Sequence, residues 1–133
     1  MKTVFADTIF FVAAANQRDS LHIQARRLSA EFDGQIVTSQ WVLTEVANYF
    51  ARSKNRDAVT IFIDDLLIDP KVECISVSAT WFEIGWQLYR QRTDKEWSLT
   101  DCISFEIMRQ QSISDAWTWD HHFEQAGFSI LMR

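Results

Sequence analysis

Glycine and proline are scarce in this chain, with three glycines and one proline among 133 residues. Without glycine clusters no loop can wrap its backbone amides round a phosphate in either familiar way, so a nucleoside triphosphatase is excluded. The same shortage leaves nothing that resembles a flexible linker. Cysteine is also rare: Cys74 and Cys102 stand alone in apolar runs, without the paired spacing of a zinc site or a disulfide framework. Both are expected to be buried thiols in a reducing cytoplasm. Long apolar runs are missing too. Asp7 interrupts the first one, which argues against a secretory signal despite Lys2 and Ala13-Ala14-Ala15, and no segment approaches the ~20 apolar residues that span a bilayer. A soluble, cytoplasmic protein with no membrane association is expected. Basic charge is short as well: 13 Lys and Arg against 18 Asp and Glu leave a net charge of -5. That balance excludes a protein that coats nucleic acid through many phosphate contacts. It leaves open an enzyme whose carboxylates hold cations that then meet phosphate.

What the chain has in quantity is core. Hydrophobic residues make up 47% and aromatics 14%, enough for one compact domain over residues 1–133. Thr3-Val4-Phe5-Ala6 reads as a short buried strand that runs directly into Asp7, with a helix from Thr8 to Ala15. A helix over Ser20 to Phe32 follows, with Leu21, Ala25 and Leu28 on one face, stopped at Asp33-Gly34. Gln35 to Thr38 is a second strand, and Ser39 caps a helix from about Gln40 to Ser53. Asp57 to Ile68 is helical, Val72 to Val77 a third strand, and Ser78 caps a helix to about Arg92. Ser98 opens another helix, and Ile113 to Thr118 is a strand that delivers Asp120 into a last helix, followed by a final strand. This alternation predicts an α/β fold: a central parallel sheet of four to five strands, covered by helices on both faces.

Four acids fall at element ends or, for Glu45, on a largely apolar helix flank. Asp7 follows the first strand and Asp120 the fourth, while Glu45 and Asp101 lie near the starts of helices that begin on the same side. Each has an ordinary reading. Asp7 and Asp120 can cap helices, Ser98-x-x-Asp101 fits a capping box, and Glu45, between Trp41 and Tyr49 at four-residue spacing, needs a partner. Together these readings weaken, because an open parallel sheet binds its ligand outside the carboxyl ends of its strands. Like charges gathered there repel and raise one another's pKa unless a divalent cation compensates, and hard oxygen ligands suit Mg²⁺ or Mn²⁺.

Phe5-Ala6-Asp7-Thr8, Leu43-Thr44-Glu45-Val46, Trp97-Ser98-Leu99-Thr100-Asp101-Cys102 and Thr118-Trp119-Asp120-His121-His122-Phe123-Glu124-Gln125-Ala126-Gly127-Phe128 resemble PIN-domain nucleases, specifically the VapC-type ribonuclease toxins of toxin–antitoxin systems. The resemblance covers essentially the whole chain. It implies that Asp7, Glu45, Asp101 and Asp120 form a catalytic, metal-binding cluster for Mg²⁺ or Mn²⁺, with Thr8, Ser98 and Thr118 as supporting hydroxyls. It also implies metal-assisted hydrolysis of an RNA phosphodiester, leaving a 5′-phosphate and a free 3′-hydroxyl, and a homodimer held in check by a cognate antitoxin. Asp115 competes for the fourth position, but it precedes the buried end of its strand and lacks the Thr-x-Asp setting of Asp120.

The remaining signals are weaker. Arg52, Lys54 and Arg56 read as a solvated helix end, whereas Arg90, Arg92 and Lys95 are placed to steer phosphate toward Asp101. Trp97 and Trp119 flank the acids, where packing and base stacking compete. Trp41, Trp81, Trp86 and Trp117 suit core or an interface. His121 and His122 are adjacent and are expected to face apart, without the spacing of paired ligands. The alternative to an endoribonuclease is a catalytically quiet PIN-fold module for RNA binding or assembly. Clustered acids argue against it, since an idle scaffold gains stability by discarding them. A phosphatase lacks its Asp-x-Asp motif, because Ile9 stands two residues after Asp7.

Overall fold

The computed structural model describes residues 2–132. Its elements in chain order are β1 (Lys2–Ala6), α1 (Thr8–Ala15), α2 (His22–Glu31), β2 (Gly34–Ser39), α3 (Gln40–Tyr49) and α4 (Arg56–Ile68), then β3 (Val72–Ile75), α5 (Ala79–Gln91), α6 (Leu99–Gln110), β4 (Asp115–Trp117), α7 (His121–Gln125) and β5 (Ser129–Ile130). The five strands form one sheet in the order β3-β2-β1-β4-β5, every pair parallel.

From β1 the chain steps outward through β2 to β3, then crosses back to β4 on the other side of β1. The two directions meet between β1 and β4, and such a switch point opens a crevice at the strands' carboxyl ends. Right-handed crossovers in opposite directions place their helices on opposite faces. Accordingly α1 packs against α2, α3 and α4, while α6 packs against α5 and α7.

The core is aromatic. Trp117 is 1% exposed and its ring meets Phe10 at 4.7 Å and Phe32 at 5.0 Å. On the other side Phe105 stands edge-on to Phe123 at 4.9 Å and to Trp97 at 5.0 Å. Buried rings of this kind remove large apolar areas from water and hold neighbouring elements at set angles. Gly85 lets α5 and α6 approach closely, since a Cβ there would lie 2.3 Å from Ile103 Cγ1.

Some boundaries differ from the sequence expectation. The second helix begins at His22 and not at Ser20, because Asp19 closes an Asx turn by accepting from the Leu21 amide at 2.8 Å. The third ends at Tyr49, with turns carrying the chain to Arg56. β3 stops at Ile75, just before the loop into the Ser78 cap. Cys102 is buried as expected, but Cys74 on the edge strand β3 is only partly covered. Among the described residues no helix is long and apolar enough to cross a membrane.

Candidate active site

Asp7 is the first residue past β1. Its amide donates to the Trp117 carbonyl at 3.3 Å, extending the β1–β4 ladder by one step. It occupies the N-cap of α1 yet makes no side-chain cap, so its ordinary structural role is not exercised. Its carboxylate, 4% exposed, instead accepts from Thr118 Oγ1 at 3.2 Å. Thr118 is fully buried directly after β4, and its hydroxyl oxygen also accepts from the Asp120 amide at 3.1 Å. One threonine thereby links two acids carried by neighbouring strands.

Glu45 finds a hydroxyl for its partner: Thr8 Oγ1 donates to Glu45 Oε1 at 2.6 Å, joining α1 to α3. Asp101 does close a capping box. Its amide donates to Ser98 Oγ at 3.0 Å while its Oδ2 accepts from the Ser98 amide at 3.4 Å. Asp120 caps α7 by accepting from the His122 amide at 2.9 Å. Trp97 settles on the packing side: it is 4% exposed and its indole nitrogen donates to Gln125 Oε1 at 3.0 Å, fastening the Ser98 loop to α7. Trp119 remains 54% exposed.

Electrostatics show that the acids act on one another. Burial pushes the Asp7 carboxyl up to about 7, and the charges of Asp101 and Glu45 push in the same direction against the Thr8 amide and the Thr118 hydroxyl. Asp101 is also raised, first by burial, then by Asp120 and Glu45, with the Ser98 amide and His122 opposing. Asp115 belongs elsewhere: it lies 3.8 Å from Lys2 Nζ, at the opening end of β1.

The histidines depart from expectation. Their rings lie 4.5 Å apart by centroid, and both reach the same oxygen, His122 Nδ1 at 3.4 Å and His121 Nδ1 at 3.8 Å from Asp120 Oδ1. They do not face apart, because the helix begins at Asp120 and its first turn gathers these side chains round the cap. Among the described residues, Asp120, His121 and His122 bring ligand atoms within 4.8 Å of one another. His122 Nδ1 is also 3.5 Å from Asp101 Oδ2 and is buried without a hydrogen bond. An orphaned nitrogen between the carboxylates of Asp101 and Asp120, the first of them with a raised pKa, is a donor set that fits a divalent cation. The sequence signal for His122 was the Asp-x-His spacing at a helix start.

One residue in each basic group is engaged by its neighbours. Arg92 makes a two-point contact with Asp94, at 3.0 and 3.1 Å, and its guanidinium lies 4.9 Å over the Trp97 ring. Arg56 donates to the Ala51 carbonyl at 2.9 Å. A cavity of about 720 Å³ opens between Trp86, Tyr89, Lys95, Trp97 and Ser98.

The PIN domain family model matches residues 4–129. A 23S rRNA-specific endonuclease of Mycobacterium tuberculosis, VapC20, is 33% identical over 126 residues, covering 94% of this chain and 95% of its own. The crystal structure of that protein, described as a sarcin-ricin loop cleaving toxin, superposes with a TM-score of 0.89 at 30% identity over 98% of this chain and 99% of its own. VapBC2 from Rickettsia felis, solved with a fragment of promoter DNA, shares the fold at a TM-score of 0.66 and 18% identity, over 97% of each chain. The chain belongs to the PIN-domain family and, within it, to the VapC type.

Proposed function

We propose that this protein is a divalent-metal-dependent endoribonuclease toxin whose site is built from Asp7, Glu45, Asp101 and Asp120. What carries the reading is the gathering of these acids at the switch point of a parallel sheet, where burial and the charges of Asp101 and Glu45 raise Asp7 to about 7 and burial and the charges of Asp120 and Glu45 raise Asp101. Clustered buried charge is costly without a counter-ion. When bound there, Mg²⁺ or Mn²⁺ supplies an activated water and neutralises charge at the scissile phosphate.

The chain's own groups have separable tasks. Thr118 orients Asp7 and holds Asp120 by its amide, so that the two strand-end acids keep one spacing. Thr8 occupies one oxygen of Glu45 and leaves the other for the water. Ser98 holds the Asp101 carboxylate by its backbone amide and the Asp101 backbone by its hydroxyl, the two halves of the capping box. In hydrolysis the water oxygen bonds to phosphorus and the bond from phosphorus to the 3′ oxygen breaks. The products carry a 5′-phosphate and a free 3′-hydroxyl.

Likeness to VapC20 over nearly its whole length supports an RNA substrate, with large-subunit ribosomal RNA the first to test. The VapBC2 neighbour supports a cognate antitoxin, and a homodimer is proposed as the toxin's own assembly. The test is incubation of the purified protein with ribosomes and, separately, with a transfer RNA pool, under Mg²⁺, Mn²⁺ or chelator, beside Asp101→Asn. Discrete cuts that need metal and vanish in the variant are expected. No cleavage of either RNA by a folded, antitoxin-free protein would contradict the ribosomal RNA assignment, and metal-independent cleavage would contradict the mechanism.

A further inference from the structure

We infer that His122 is a direct ligand of the catalytic cation, contributing Nδ1 beside Asp101 and Asp120, so that the site is a mixed oxygen and nitrogen cage. The inference rests on the metal-dependent reading above and adds to it a residue outside the four acids.

Three observations carry it. His122 Nδ1 lies 3.5 Å from Asp101 Oδ2 and 3.4 Å from Asp120 Oδ1, yet closes no hydrogen bond with either. Buried polar atoms are nearly always satisfied, so a nitrogen left open between two acids calls for a partner. Adjacent ligands on one octahedral ion at ~2.1 Å stand about 3 Å apart, so a small inward movement turns the observed spacing into shared coordination. Finally, the His122 amide holds Asp120 Oδ1 at 2.9 Å, so the residue fixes an acid through its backbone while its ring remains free for a second task.

The consequence is ion preference. Mg²⁺ and Mn²⁺ both favour oxygen, but Mn²⁺, a first-row transition ion, accepts an imidazole nitrogen more readily than Mg²⁺ does. His122 therefore biases the site toward Mn²⁺, which an all-carboxylate cage does to a lesser degree. Because Asp120 is held by a main-chain amide, His122→Gln removes the nitrogen without releasing the acid.

The experiment is pulsed electron paramagnetic resonance of Mn²⁺ bound to the intact protein, prepared with ordinary and with ¹⁵N-labelled histidine, beside His122→Gln, His121→Gln and Asp101→Asn. The expected result is a nitrogen coupling in the wild type that changes with the histidine label. It persists in His121→Gln and disappears in His122→Gln, where Mn²⁺ affinity falls about tenfold or more and Mg²⁺ affinity falls less. Bound Mn²⁺ that depends on Asp101 but shows no histidine coupling overturns the ligand assignment and leaves the nuclease reading standing. A coupling that survives His122→Gln also overturns it. Failure of the wild type to bind Mn²⁺ at all overturns both.

Discussion

Asp7 shows what a single carboxyl is asked to tolerate. In the unfolded chain it ionises near 3.8, and in the folded protein near 7. Between those values the folded state holds the extra proton, so stability falls as pH rises across that window and levels off above it. Asp7→Asn removes the group that titrates. In chelator at pH 8 the variant should be more stable than wild type by on the order of 4 kcal/mol, and the gain should vanish near pH 4. Thermal unfolding at the two pH values checks this, and equal destabilisation at both would contradict it. The residue was legible in the sequence as an acid directly after a buried strand. Its idle cap and its bond to Thr118 were not, because they depend on a partner at a sequence separation of 111.

At the scale of elements, helix starts do the positioning. Ser98 and Ser78 cap α6 and α5 in the same way, each accepting an amide three residues on, at 3.0 and 3.1 Å. Loss of either hydroxyl should cost about 1 kcal/mol. Of the two, only the Ser98 hydroxyl also fixes the backbone of a proposed site acid, Asp101, whose carboxylate meets the Ser98 amide. Ser98→Ala and Ser78→Ala are therefore expected to lower the melting temperature similarly, while only Ser98→Ala weakens Mg²⁺ binding several-fold by titration calorimetry. Equal affinities would show that the box serves the helix alone. The caps were legible because Ser-x-x-Asp and an isolated Ser before an apolar run are local signals. The pairing of His121 and His122 was not. Adjacent residues diverge within a helix, but these two stand in the first turn beside the Asp120 cap, where local geometry brings both rings to one oxygen.

At the scale of the molecule, the fold of a 133-residue chain brings Glu45 and Asp101 within electrostatic reach of Asp7, and Asp120 and Glu45 within reach of Asp101. The alternation of short apolar strands and amphipathic helices foretold a parallel sheet, and the crossover rule limits the orders it can take. The covering of individual side chains was less legible. Trp97 and Trp119 flank the acids in similar sequence settings, yet one is packed against Phe105 and tied to Gln125 while the other is exposed. That outcome depends on which helix crosses above each ring, which no local pattern encodes.

A site assembled from distant positions exists only in the folded state, so the cation proposed to bind there should stabilise the whole fold. At a hundredfold excess over the dissociation constant the gain is about 2.7 kcal/mol, or several degrees in melting temperature. The decisive measurement is that cation-induced shift in Asp7→Asn, Glu45→Gln, Asp101→Asn, Asp120→Asn and Asp115→Asn, each beside wild type. If the four acids work as one site, the shift shrinks in each of the first four variants and persists in Asp115→Asn. A shift that survives in those four, or is lost in Asp115→Asn, contradicts the site described here.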